Sequence, residues 1–136
     1  MNNRNKGKNY EIAITNMLKN TGLNKTKSSR AASKLYDDCG IDHWGASLPD
    51  GRLILTQCKS GYNKNRPKPD YEFKNQKDKI AEHFPKGSPE LNPDNIQILF
   101  HKINDYNPDN HYVTLKYKDF VEIFNIYVNS ITRDKG

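Results

Sequence analysis

Three side chains in the middle of the chain have the types and spacing of a cation site. Gln57 and Lys59 are two residues apart in the run Arg52–Lys59 (RLILTQCK), which reads as a strand, so both point to one face. Pro49-Asp50-Gly51 is a turn signal, and a hairpin through it brings residues 39–46 (CGIDHWGA) alongside 52–59. That places Asp42 opposite the far end of the second strand. A carboxylate, an amide oxygen and an ammonium group then converge, an oxygen-rich arrangement that suits magnesium, which keeps several waters and uses one or two protein carboxylates. The lysine can hold an attacking water or offset charge on a phosphate. A structural hydrogen bond would explain a polar Gln57 in an apolar strand equally well.

The elements around these residues follow from the apolar pattern. Tyr10, Ile14, Met17 and Leu18 form one face of a helix over about 9–20, with Gly22 as its stop. Residues 1–7 read as a loose polar arm, and a short strand near 23–28 is open. Residues 60–71 read as a basic loop, 72–84 as a helix with Phe73, Ile80 and Phe84 on one side, and 85–95 as a proline-rich connection. Ile96–Ile103 and His111–Lys116 read as strands. A last helix from about Lys118 carries Phe120, Phe124, Tyr127, Val128 and Ile131. That face is assigned to the domain's own core, with a dimer contact as the alternative. The order predicts one mixed α/β domain over 1–136, its central sheet flanked by helices.

Charge is divided unevenly along the chain. The 136 residues carry a formal charge of +6, with 22 Lys+Arg and 16 Asp+Glu. Residues 1–36 sum to +7, 37–58 to −3, 59–79 to +4 and 80–136 to −2. Two basic stretches therefore flank an acidic one that contains Asp42. A polyanion binder without chemistry gains nothing from that insert, whereas a metal-dependent nuclease needs carboxylates beside the phosphate. Lys25, Lys27, Arg30 and Lys34 precede the site, and Lys64, Arg66 and Lys68 leave it. These are candidate phosphate contacts, as are Lys6 and Lys8 of the first stretch.

Other features exclude other classes. No apolar run is long enough to span a membrane, and the start of the chain lacks a signal peptide's apolar segment. An intracellular location, cytoplasm or nucleoid, is expected, with viral encoding left open. Cys39 and Cys58 lack zinc-site or disulfide spacing. His83, His101 and His111 lack metal-ligand spacing. His43 faces away from Asp42 and reads as packed or surface, and Trp44, the only tryptophan, reads as buried.

Taken in order, the residues resemble the PD-(D/E)xK nuclease superfamily and, within it, the archaeal-type Holliday junction resolvases. Lys6-Gly7-x-x-x-Glu11 is similar to the family's KGxxxE opening. Arg30-x-x-Ser33 resembles its RxxxS stretch with a spacing one residue shorter, which adds Ser33 to the candidate DNA contacts. Gly40-Ile41-Asp42 resembles the GPD element, and Leu55-Thr56-Gln57-Cys58-Lys59-Ser60 the IECKS strand. The resemblance covers roughly the first 60 residues. It implies a restriction-endonuclease-like fold with catalytic Glu11, Asp42, Gln57 and Lys59. It also implies magnesium, with manganese as a substitute, held by Glu11, Asp42, Gln57 and the Cys58 carbonyl. The implied activity is hydrolysis of branched DNA by a two-fold homodimer. Gln57 departs from the family's usual Glu, removes a negative charge and puts weight on Glu11. It also draws the resemblance toward Gln-containing restriction-type nucleases. A nuclease of this fold acting on duplex or flap DNA, and a DNA-binding module without activity, are the alternatives.

Overall fold

A computed structural model describes residues 3–61, 65–103 and 111–135, with side chains from 7 to 133. The fold is mixed α/β. Helix α1 (Asn3–Asn20) leads through β1 (Lys27–Ser28) to two short helices, α2 (Ser29–Ala32) and α3 (Lys34–Asp38). Then come β2 (His43–Trp44), β3 (Ile54–Ser60), α4 (Pro69–His83), β4 (Ile96–Lys102), β5 (Tyr112–Thr114) and α5 (Tyr117–Lys135). β1 and β2 form an antiparallel ribbon, while β3, β4 and β5 form a sheet in that order. Its β3–β4 pair is parallel and β4–β5 antiparallel.

The parallel pair has a helix on each face, as parallel strands require. On one face Tyr10 and Leu18 of α1 pack with Phe100, Ile98 and Cys58. On the other, Leu55 packs with Tyr36, Cys39, Ile41 and Ile80 of α4. Alternation along β3 thus sends Leu55 toward α4 and Cys58 toward α1. α1 ends at Gly22, whose φ of 110° is a left-handed conformation that glycine adopts without a Cβ penalty. There Leu23 N–H bonds the Leu18 carbonyl at 3.1 Å. Pro69 opens α4, with Asp70 and Glu72 in its first turn, three residues before the expected start.

Polar groups in this core bridge the elements. Gln97 Nε2 donates to the Phe73 carbonyl at 2.9 Å and to Gln76 Oε1 at 2.8 Å. Gln76 Nε2 in turn donates to the Gly40 carbonyl at 3.0 Å and more weakly to the Thr56 carbonyl at 3.4 Å. Both amides are buried and donate through Nε2, although Gln97 Oε1 has no partner among the described residues, so the ladder fixes α4 and the Gly40 turn against the sheet. On the opposite face His43 is fully buried. Its Nε2 lies 3.0 Å from the Glu11 carbonyl and its Nδ1 2.7 Å from Thr56 Oγ1. A carbonyl only accepts, so Nε2 carries the proton and Nδ1 accepts from the threonine hydroxyl.

Several expectations need correction. α1 starts at Asn3, so residues 3–7 belong to a helix rather than a loose arm. The 39–46 segment pairs through few residues. Its strand β2 pairs with β1 instead, and it meets 52–59 only through the bonds Asp42 N–H to Thr56 O and Ile54 N–H to Ala46 O, with an isolated Ser47–Leu53 bridge just beyond it. The two short helices at 29–38 were not foreseen, because four or five residues display no periodicity. Trp44 is 39% exposed rather than buried. The last helix is no part of the core: Phe120, Phe124 and Tyr127 are at least half exposed. Near its start it is tied to the hairpin turn by Arg52, which donates to both oxygens of Glu122 at 2.9 and 2.5 Å and to Asp50 at 2.9 Å. Among the described residues no helix is long and apolar enough to cross a membrane.

The buried imidazole carries a pH signature. Burial lowers the His43 pKa from the ordinary 6.5, although the Glu11 carbonyl counters this. Its stabilising contribution is fully present above about pH 6.5 and is lost as pH falls toward the lower folded value. His43→Gln should be less stable than wild type by about 1–3 kcal/mol at neutral pH. Urea denaturation should show that gap narrowing at about pH 5.5. A gap independent of pH excludes a neutral buried His43.

Candidate active site

Glu11, Asp42, Cys58 and Lys59 meet at the C-terminal end of β3. The Asp42 amide bonds the Thr56 carbonyl at 3.0 Å, and its Oδ2 accepts from the Cys58 amide at 2.6 Å. Ser29 N–H bonds the Asp42 carbonyl at 3.0 Å. Asp42 is therefore held on both sides by main chain. Burial pushes its carboxyl up to about 7, the Cys58 amide and Lys59 pull it down, and Glu11 and Asp37 push it further up. Lys59 Nζ lies 3.5 Å from Glu72 in the first turn of α4. Lys59, His101 and Tyr112 form one row across the sheet. Arg66 stands at that row's outer end, 5.5 Å from the Tyr112 ring centroid.

Glu11 is 5% exposed and engaged by Arg30, whose Nε donates to Oε2 at 2.8 Å and Nη2 to Oε1 at 3.2 Å. This fork uses both carboxylate oxygens. Glu11, expected as the second metal carboxylate, is paired with Arg30, which is itself expected as a phosphate contact. Glu11, Arg30 and Lys59 line an open cleft with Cys58, Ser60 and Gly61. Gln57 does not line it. Its amide is buried, with Nε2 beside Gly40, and Oε1 finds no hydrogen-bond partner among the described residues. The Cys58 thiol is pushed up by burial and by Asp42 and Glu11, so it stays protonated.

The other candidate DNA contacts are dispersed. Lys8, Lys25 and Lys68 are exposed, and Lys34 pairs with Asp38 at 3.4 Å on α3. Ser33 is corrected to a cap: its hydroxyl accepts from the Tyr36 amide at 3.2 Å. Lys27 lies over Trp44. Lys6 is in α1 with its side chain outside the described portion, and Lys64 lies outside the described residues. The Arg30–Glu11 fork and the His43 relay escaped the sequence reading. The one available signal was Glu11 falling within the buried stripe of α1, where a carboxylate requires a partner.

No three of the described His, Cys, Asp and Glu side chains cluster as metal ligands. A cation at this place would rest on Asp42, the Gln57 amide oxygen and the Cys58 carbonyl. Two observations fit that donor set: the unpartnered Gln57 Oε1 and a half-buried Asp42 whose charge lacks a directly bonded cation. The chain matches no known protein family, no curated protein and no solved structure.

Ionised Asp42 costs folding free energy. Below the ordinary carboxyl value of 3.8 there is no cost, and it grows as pH rises through about 7. Asp42→Asn should raise Tm by about 4 °C or more at about pH 8, with the advantage fading below about pH 6. Thermal denaturation across pH measures this directly.

Proposed function

We propose that this chain is a magnesium-dependent DNA endonuclease of the restriction-endonuclease-like class that acts on four-way junctions. The observation that carries the reading is Asp42, clasped by the Cys58 amide and within electrostatic reach of both Glu11 and Lys59. The parallel β3–β4 pair joined through α4, with α1 packed on its other face, is compatible with it. When bound, the cation supplies positive charge for the phosphate and a more acidic water. Manganese is the natural substitute. Asp42, Gln57 and the Cys58 carbonyl hold the cation. Lys59 donates to the scissile phosphate and offsets charge that develops there. Phosphate entering the cleft competes with Glu11 for the Arg30 fork, an exchange between two oxyanions that suits a guanidinium. The exposed Lys8, Lys25 and Lys68 supply sequence-independent affinity. An intracellular location is part of this proposal.

Symmetric cleavage of a junction needs two sites, hence a two-fold dimer. The exposed face of α5 is suited to this contact. Residues 123–132 contain no charge, and Phe120, Phe124, Tyr127 and Ile131 follow one stripe. With side chains of about 150–250 Å², two such stripes reach on the order of the 1,000 Å² that a specific interface requires. Phe124→Lys should shift a dimer to monomer in light scattering while leaving the fold intact.

A second reading has its own observations. Arg30 occupies Glu11, and Gln57 lies away from the cleft, which favours a DNA-binding module that has lost its chemistry. Incubation with a junction and a matched duplex separates the two. The enzyme cleaves the junction faster than the duplex with magnesium. Lys59→Ala lowers the rate by about 100-fold or more with binding nearly unchanged, and Gln57→Glu preserves or raises it. Binding without cleavage in either metal selects the module.

A further inference from the structure

We propose that Trp44, with Lys27, is a stacking platform for an unpaired nucleobase, an inference that rests on the DNA-binding reading above. Trp44 is the chain's single tryptophan. Its 39% exposure leaves a large aromatic surface open to solvent on a protein whose other β2 residue, His43, is fully buried. The strand that carries the ring is held in place, because His43 on its opposite face is bonded to both Glu11 and Thr56. Across the ribbon Trp44 is in register with Lys27, whose Nζ stands 5.9 Å from the ring centroid. Gly45 follows with φ 84°, and a Cβ there would come within 2.5 Å of the Lys25 carbonyl. The close approach that only glycine permits keeps the backbone of Lys25 against the end of the ribbon.

The platform therefore combines a fixed aromatic face with two ammonium-bearing residues, Lys25 and Lys27. Aromatic faces bind bases without regard to sequence because every base presents a π-face, and neighbouring cations neutralise the backbone. Asp42 precedes Trp44 by two residues, about 7 Å along an extended chain, so DNA bound at Asp42 lies within reach of the ring. Bases inside a duplex are already stacked and must be extruded at an energetic cost. The platform accordingly favours DNA with unpaired or splayed bases, the kind found at a junction centre, a flap or a frayed end. Alternation along β2, with His43 inward and Trp44 outward, is the reason the tryptophan is available at all.

A single tryptophan makes its own emission the reporter. The full chain, in chelator to prevent cleavage, is titrated with single-stranded oligothymidylate, a blunt matched duplex and a four-way junction. Binding is followed independently by anisotropy of end-labelled DNA. Strong quenching by the single strand and junction, with little by the duplex, is expected. Trp44→Ala should weaken single-strand binding by about fivefold to a hundredfold, and Lys27→Gln should weaken it more than duplex binding. Anisotropy that reports binding with unchanged emission overturns the platform and leaves the DNA-binding reading standing. Equal quenching by the blunt duplex overturns the preference for unpaired bases. Absence of binding to all three DNAs overturns the DNA-binding reading itself.

Discussion

Thr56 is the residue on which the arrangement turns. Its carbonyl takes the Asp42 amide and, more weakly, the Gln76 amide. Its hydroxyl donates to His43, which passes a second bond to the Glu11 carbonyl. One fully buried residue of β3 thus fixes the strand that carries Asp42, the helix that carries Glu11 and the helix packed on the other face. Each bond is worth only about 1 kcal/mol net, but an unmade one in this buried setting costs more. The relay demands a neutral imidazole with its proton on Nε2, so the position of Glu11 depends on the protonation of a residue that touches no cleft.

That rigidity brings two carboxylates near one another at the end of β3, and the molecule manages them differently. Glu11 receives a bidentate guanidinium, which offsets its burial at the expense of Arg30's freedom. Asp42 receives a main-chain amide and only the more distant charge of Lys59, so its carboxyl remains raised. Beside it, Gln57 holds a buried acceptor with no donor. A divalent cation would relieve both deficits at once, which is the physical content of the proposed site. The Arg30 fork keeps Glu11 neutralised until another anion claims the guanidinium.

Much of this was legible in the chain because it follows from short-range pattern. The Gly22 stop, the turn at 49–51, the strands at 54–60 and 96–102, and the approach of Asp42 to β3 depend on periodicity and turn chemistry. What was not legible depends on rotamers and on neighbours distant in sequence. Arg30 is 19 residues from Glu11, and nothing in their spacing announces a fork. Gln57 and Lys59 share a face by alternation, yet only Lys59 lines the cleft, because the amide is too short to leave the α4 side of the strand. The α5 stripe has core-like composition but little core to meet, since the chain beyond Lys116 leaves the sheet and is secured near its start by Arg52. Trp44 defied the general tendency of tryptophan to be covered because its strand neighbour His43 took the inward position.

The central claim is that Asp42, Gln57 and the Cys58 carbonyl hold a divalent cation. Anomalous diffraction from crystals soaked in manganese tests it most directly. One strong manganese peak is expected within coordination distance of Asp42 and Gln57, absent in crystals of Asp42→Asn. Diffraction with no peak at this position at saturating manganese, or with manganese bound only elsewhere on the surface, would contradict it.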